Sequence, residues 1–209
     1  ANKNKIVLIF DECSSGFRER FGGLHLKYKV NPDICMFGKA LGNGYAINAI
    51  LGKKEIMEAA NNSFISSTFW SEKIGFLAGI KTLEVMKKRN SWKIISDLGL
   101  IFRKKLKKCA EDNKIKIEIE GIPSLIGFNF LSVDNQKYKT FLTQEMLKRN
   151  ILAYNRVYFS ISHTEKMINY YFEILSEIFK LIHDFENGIK NIDEYLEYPV
   201  SFNPFVRVN

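Results

Sequence analysis

Two short apolar runs organise the early part of the chain. Ile6-Val7-Leu8-Ile9-Phe10 ends at the carboxylate pair Asp11-Glu12, and Ile34-Cys35-Met36-Phe37 ends at Gly38-Lys39. Each is rich in β-branched and aromatic residues and bounded by polar residues or glycine, which predicts two fully buried strands. Residues 13–33 between them suffice for the crossover that parallel strands require. Right-handed crossovers bring the carboxyl ends of such strands to one sheet edge, where α/β proteins bind ligands. Asp11 and Lys39 are therefore expected to face one crevice.

The pattern further along alternates helix and strand. A strand is expected over 46–50, helices over 54–60 and 72–88, and renewed helix from about 92 to 112. Strands follow over 115–120 and 126–131, then a helix over 136–149 and short strands over 152–154 and 158–161. A long amphipathic helix runs from Thr164 to about Asn187, with Thr164 or Ser162 as its N-cap. Residues 1–90 read as part of an α/β domain, 91–189 as a smaller α+β domain, and 190–209, with Pro199 and Pro204, as an irregular tail.

Composition narrows the function classes. At 209 residues, 46% hydrophobic and 26% charged, the chain can build one sizeable core or two small ones. No apolar run approaches the ~18 residues of a membrane helix, so no membrane partner is expected and the cytoplasm is the default location. Cys13, Cys35 and Cys109 are too scattered for a disulfide framework or a zinc site, and His25 and His183 have no partner at metal-ligand spacing. No metal site is expected. The net charge of +8 comes from scattered lysines. Its densest run, Arg103-Lys104-Lys105 with Lys107-Lys108, alternates with Leu100, Phe102 and Leu106 and reads as a solvated helix face rather than a nucleic-acid surface.

An acid and a lysine at one sheet edge suit a particular chemistry. An ordinary lysine titrates near ~10.4, leaving about one amine in 10³ free at neutral pH. Desolvation or conversion to an imine removes that handicap. Pyridoxal phosphate supplies the imine, and a buried aspartate keeps its ring nitrogen protonated. At ~4 Å and an effective dielectric of ~20 that attraction is on the order of 4 kcal/mol. Taken alone, Asp11 could equally cap the turn that follows it, and Lys39 could be a surface lysine.

In this order the motifs resemble those of a known family. Residues 6–16 (IVLIFDECSSG), followed by Phe17-Arg18 and Gly22-Gly23, look like the aspartate motif of class III pyridoxal-phosphate aminotransferases, nearest to the glutamate-1-semialdehyde aminomutases. Asn31-Pro32-Asp33-Ile34 with Phe37-Gly38-Lys39-Ala40-Leu41-Gly42-Asn43-Gly44 is similar to that family's lysine motif. Ser66-Ser67-Thr68-Phe69-Trp70-Ser71-Glu72, residues 121–130 and residues 158–164 resemble later landmarks. The resemblance implies a fold type I large domain, of which 1–90 is the C-terminal part, followed by a small α+β domain. It implies that Lys39 forms the internal aldimine with pyridoxal 5'-phosphate and shuttles the substrate proton. It further implies that Asp11 pairs with the ring nitrogen, that Cys13 packs on a ring face, and that Thr68 reaches the phosphate across a homodimer interface. The substrate class implied is a small amino acid, keto acid or amino aldehyde, handled by aminotransferase or aminomutase chemistry.

Departures from the family pattern bear on substrate. Asn43-Gly44-Tyr45-Ala46 and Trp70-Ser71-Glu72 replace the family's usual runs, and Cys13 stands where valine is usual. The resemblance covers about the second half of such an enzyme, and nothing here matches the family's phosphate loop or its ring-stacking aromatic residue. The chain opens without methionine a few residues before the first strand, so a fragment is expected. A non-catalytic reading, in which the chain binds a complementary half, stands beside the enzymatic one. A nucleotide hydrolase fits less well: Gly38-Lys39 is followed by Ala40, and no glycine occupies position 33 as a phosphate loop requires.

Overall fold

A computed structural model describes residues 1–68 and 70–202. The chain divides into two compact units, 1–96 and 97–209, and the division falls inside one helix. The 203–209 end of the tail, including Pro204, lies outside the described residues.

The first unit is built on a three-stranded sheet of order β1-β2-β3. Strand β1 (Ile9–Asp11) pairs parallel with β2 (Ile34–Phe37), which pairs antiparallel with β3 (Ala49–Gly52). The register sets Ile9 opposite Ile34 and Asp11 opposite Met36, which faces Ile50 on its other side. The crossover of residues 12–33 carries only a short helix, α1 (Leu24–Tyr28). Helix α2 (Lys54–Met57) runs into a 3-10 turn, and α3 (Lys73–Arg89) is the long helix of the unit.

Alternation along the strands gives the sheet two faces. On one, Cys35, Phe37 and the partly buried Phe10 pack with Phe17, Leu41 and Leu83 into a small core. Phe17 meets Phe37 with ring centroids 5.5 Å apart and Phe21 at 5.7 Å, within the range where aromatic pairs attract beyond their area. The other face is open. Ile9 is 52% exposed and Ile50 57%, and Ile6 and Val7 ahead of β1 are exposed as well. The expectation of fully buried strands is thus corrected. The apolar composition suits a sheet covered on both faces, and the described residues cover one.

Helix α3 meets the same unit through glycine. Gly75 and Gly79 are its buried residues, and a β-carbon at Gly75 would lie 2.5 Å from the Ala46 carbonyl oxygen. Ile74, Phe76, Leu77 and Ile80 on the rest of its surface remain exposed. Asn90, in the left-handed region at φ 51, ends α3, with Lys87, Lys88 and Arg89 at the carbonyl end of its dipole. Helix α4 (Ser91–Asp112) follows at once.

The second unit is an antiparallel sheet of order β4-β5-β6 with helices α5 (Asn135–Lys148) and α6 (Glu165–Glu186). Its strands are β4 (Ile117–Ile122), β5 (Leu125–Phe130) and β6 (Arg156–Tyr158). Phe128, Phe141, Leu142, Leu175, Phe179 and Ile182 are fully buried and form its core. Phe102 and Leu106 of α4 are buried too, whereas Lys104, Lys105, Lys107 and Lys108 are exposed. The basic run is thus an exposed helix face, with Lys108 paired to Asp112 at 2.8 Å. Thr164 caps α6, its hydroxyl accepting from the Met167 amide at 3.3 Å.

One expected strand is missing. Residues 152–154 stay irregular because the Phe130 amide, which would continue the ladder from β5, donates instead to the Asn135 side chain at 3.1 Å. Pairing on that edge stops at Asn155, whose carbonyl accepts from Phe128 at 3.0 Å.

Candidate active site

Lys39 sits where β2 gives way to a 3-10 turn, Lys39–Leu41. Its φ of 43° lies in the left-handed region that non-glycine residues seldom adopt, and backbone strain of this kind concentrates at functional sites. Gly38 before it allows a close approach: a β-carbon there would collide with the Asn48 side-chain oxygen and stand 3.5 Å from Cys13 Sγ. The strand end can thus lie against the 13–15 loop. The Lys39 ammonium reaches that loop and donates to the Ser14 hydroxyl.

Asp11 ends the neighbouring strand on the open face of the sheet and is exposed. One carboxylate oxygen accepts from the Cys13 amide at 3.0 Å. The Cys13 amide contributes most to holding this carboxyl below its ordinary range, and the Cys13 thiol and the Lys39 charge add to it against a small opposing effect of burial. Burial pushes the Cys13 thiol up, as do its bond to Asp11 and the aspartate charge, while Lys39 opposes them. Asp11, Cys13 and Lys39 therefore form one electrostatic group at the carboxyl ends of two parallel strands. An ionised acid, a lysine and a neutral thiol thus lie within electrostatic reach of one another.

Thr68 is not one of the residues these interactions join. It lies exposed in a turn before α3, and Phe69 of the same motif is outside the described residues. The flanking Ser67 and Trp70 line a cavity of about 430 Å³ together with Asn48, Gly75 and Phe76. Since Asn48 also packs on Gly38, this turn and the lysine turn share a neighbour.

The structure adds residues that the motif reading passed over. Ser14 is the hydroxyl that receives Lys39, and nothing in its spacing singled it out. Glu12, read only as half of a carboxylate pair, is 3% exposed. It accepts from the Ser15 hydroxyl at 2.7 Å, the Leu24 amide at 2.7 Å, the His25 amide at 2.8 Å and His25 Nδ1 at 2.9 Å. Burial pushes this carboxyl up, but the amides of His25 and Leu24, then Ser15 and the His25 ring, outweigh it and leave it below its ordinary value. A signal was available, since strand periodicity sends Asp11 and Glu12 to opposite faces. Among the described residues no cluster of His, Cys, Asp and Glu is arranged to hold a metal ion, and no helix is long and apolar enough to cross a membrane.

The model of the class-III aminotransferases matches residues 1–165. A 3-aminobutyryl-CoA aminotransferase of Cloacimonas acidaminovorans is 33% identical over 85% of this chain and 44% of its own length. A glutamate-1-semialdehyde 2,1-aminomutase of Natranaerobius thermophilus is 29% identical over 78% of this chain and 42% of its own. The chain thus spans less than half the length of these relatives. Among solved structures, the internal-aldimine form of the FumI protein of Sphingopyxis sp. MTA144 superposes with a TM-score of 0.80 at 22% identity, over 88% of this chain and 45% of that one. An omega-transaminase from Sphaerobacter thermophilus gives 0.77 at 18% identity, over 86% and 45%. These two share the fold. With the family pattern covering most of its length and an acid and a lysine ending adjacent parallel strands, this chain belongs to the class-III aminotransferase family.

Proposed function

We propose that the protein transfers an amino group on a small amino acid, keto acid or amino aldehyde with pyridoxal 5'-phosphate, and that these residues supply the aspartate and lysine of its site. The observation that carries the reading is the placing of an ionised, exposed Asp11 and of Lys39 at the neighbouring ends of two parallel strands, close enough for the lysine charge to act on the acid. The residues present fit the cofactor on its ring side. Gly38, with no β-carbon, lets Asn48 and the 13–15 loop close on the lysine turn, and Asp11 offers a carboxylate held in the charged form. When bound, the cofactor supplies the electron sink for amino-group chemistry.

The roles of the chain's own groups follow from their setting. Asp11 would hold a proton on a basic ring nitrogen. Lys39 Nζ is the amine nucleophile and the proton carrier, and the Ser14 hydroxyl orients it. Cys13 stays neutral beside the ring rather than adding a second negative charge. Thr68, exposed before α3, suits a hydroxyl offered to the phosphate of a second subunit in a homodimer. Relatives of both kinds, aminotransferase and aminomutase, support amino-group transfer as the shared step. Three thiols that remain unpaired suit a reducing compartment such as the cytoplasm.

A second reading rests on the span of the match and the open sheet face: the chain takes up the cofactor only with a complementary polypeptide. One experiment addresses both. The full-length protein, and these residues alone, are mixed with pyridoxal phosphate, reduced with borohydride and digested. The expected result is a label on the Lys39 peptide that Lys39→Ala abolishes, together with turnover. A label confined to other lysines overturns the assignment, and a Lys39 label seen only in the full-length protein supports the second reading.

A further inference from the structure

Asp11 and Glu12 are neighbours with opposite fates. Asp11 faces the open side of the sheet, while the Glu12 side chain turns to the buried side, where His25 packs edge-on against Phe10 with centroids 6.4 Å apart. Every polar group of Glu12 is engaged. Its amide donates to the Met36 carbonyl at 2.9 Å, extending the β1–β2 pairing by one residue, and its carbonyl accepts from Gly16 at 2.8 Å. Its carboxylate takes the Ser15 hydroxyl, both amides at the start of α1, and His25 Nδ1. The same imidazole nitrogen lies 3.4 Å from Cys35 Sγ on β2.

A buried carboxylate without partners costs several kcal/mol and would simply take up a proton. Here four donors converge on it, which is far more than capping a short helix requires. The effect is to tie the strand end, the 13–16 loop, the start of α1 and β2 into one piece. That loop carries the Cys13 amide, and the Cys13 amide holds Asp11.

We infer that Glu12 is a positioning residue for Asp11: it fixes the loop whose Cys13 amide orients the Asp11 carboxylate toward a basic ring nitrogen. The assignment rests on the proposed cofactor reading for the identity of that ring. It does not rest on that reading for the orientation of Asp11, which is a property of this chain.

The test uses the full-length protein and its Glu12→Gln variant, with the aspartate carboxyl carbons labelled for NMR. Glutamine replaces one of the two acceptor oxygens with an NH2 group, which then faces either the Leu24 amide and Ser15 hydroxyl or the His25 amide and ring nitrogen, all of which already donate. The Asp11 titration midpoint is expected to rise toward the ordinary aspartate range, and exchange of the Cys13 amide to quicken. Affinity for pyridoxal phosphate is expected to fall on the order of 10–100-fold, the scale on which supporting residues act at bound groups. If Glu12→Gln does not fold, Ser15→Ala loosens the same loop and is expected to move the Asp11 midpoint in the same direction. An unchanged Asp11 midpoint and Cys13 exchange in a folded variant overturns the assignment, whatever the cofactor does. A shifted midpoint in a protein that never takes up pyridoxal phosphate supports the role of Glu12 and instead removes the cofactor reading.

Discussion

Asp33 shows how a single side chain holds the frame beneath the site. Its carboxylate accepts from the Leu8 amide at 2.8 Å and from Lys53 Nζ at 2.6 Å, tying the approach to β1, the start of β2 and the end of β3 together. The Leu8 amide, and then Lys53, lower the Asp33 carboxyl from its ordinary value, and the bond to Asp33 raises Lys53. A lowered folded-state value makes the Asp33 contribution complete above the ordinary ~3.9, and lost as pH falls through the folded value. For Lys53 the contribution is complete below ~10.4 and lost as pH rises through its folded value. Asp33→Asn is therefore expected to lower the urea midpoint at neutral pH and to flatten its decline between about pH 5 and pH 2. An acid limb as steep as that of the parent chain would refute this. At the residue scale, Asp11 and Lys39 were legible because each ends an apolar run. Glu12 and Ser14 were not, because their importance lies in partners that only the folded crossover supplies. Cys13 was legible by motif alone, and Thr68 stands apart from the other three in this chain.

Helix α3 sets intrinsic preference against close packing. Replacing an interior helical glycine with alanine gains about 1 kcal/mol on propensity. At Gly79 the new methyl would meet the Ile47 side chain at 3.4 Å, an ordinary contact, so Gly79→Ala is expected to raise the melting temperature slightly. At Gly75 it would strike the Ala46 backbone carbonyl, which cannot turn aside as a side chain can. Gly75→Ala is thus expected to lower the melting temperature of the first unit, and a rise equal to that at Gly79 would refute the close contact. The long helices were readable from their period, since burial of Phe102, Leu106, Leu175 and Phe179 follows it directly. The 152–154 strand was misread because its place on the ladder is taken by Asn135, a side chain from a helix that follows β5. Periodicity within a segment carries no information about such a competitor. The covering of the first sheet was misjudged for a related reason, since apolar composition records that a face is to be covered and not by which residues.

For the chain as a whole, exposed apolar surface is the dominant physical fact. Ile9 and Ile50 on one sheet face, Ile6 and Val7 ahead of β1, and Ile74, Phe76, Leu77 and Ile80 on α3 are all more than two-fifths exposed. Contiguous apolar patches beyond a few hundred Å² mark interaction surfaces or association hazards. These residues in isolation are therefore expected to bind a hydrophobic dye and to self-associate in sedimentation velocity, despite the net charge of +8. Ile74→Glu with Leu77→Glu should reduce both signals. A dye-silent monomer would show that the patches are covered in solution. The span of under half the relatives' length belongs to the same picture, because a face written for burial implies a cover.

Strand β1 is three residues long and, among the described residues, lies at the sheet margin and pairs with β2 on one flank. Among the described residues no strand pairs with its other flank, which borders the acid that the proposed chemistry needs. A molecule that docks an extended segment there would grip the same short lever that carries Asp11. Contact along this margin would thus act on Asp11 through the strand that carries it.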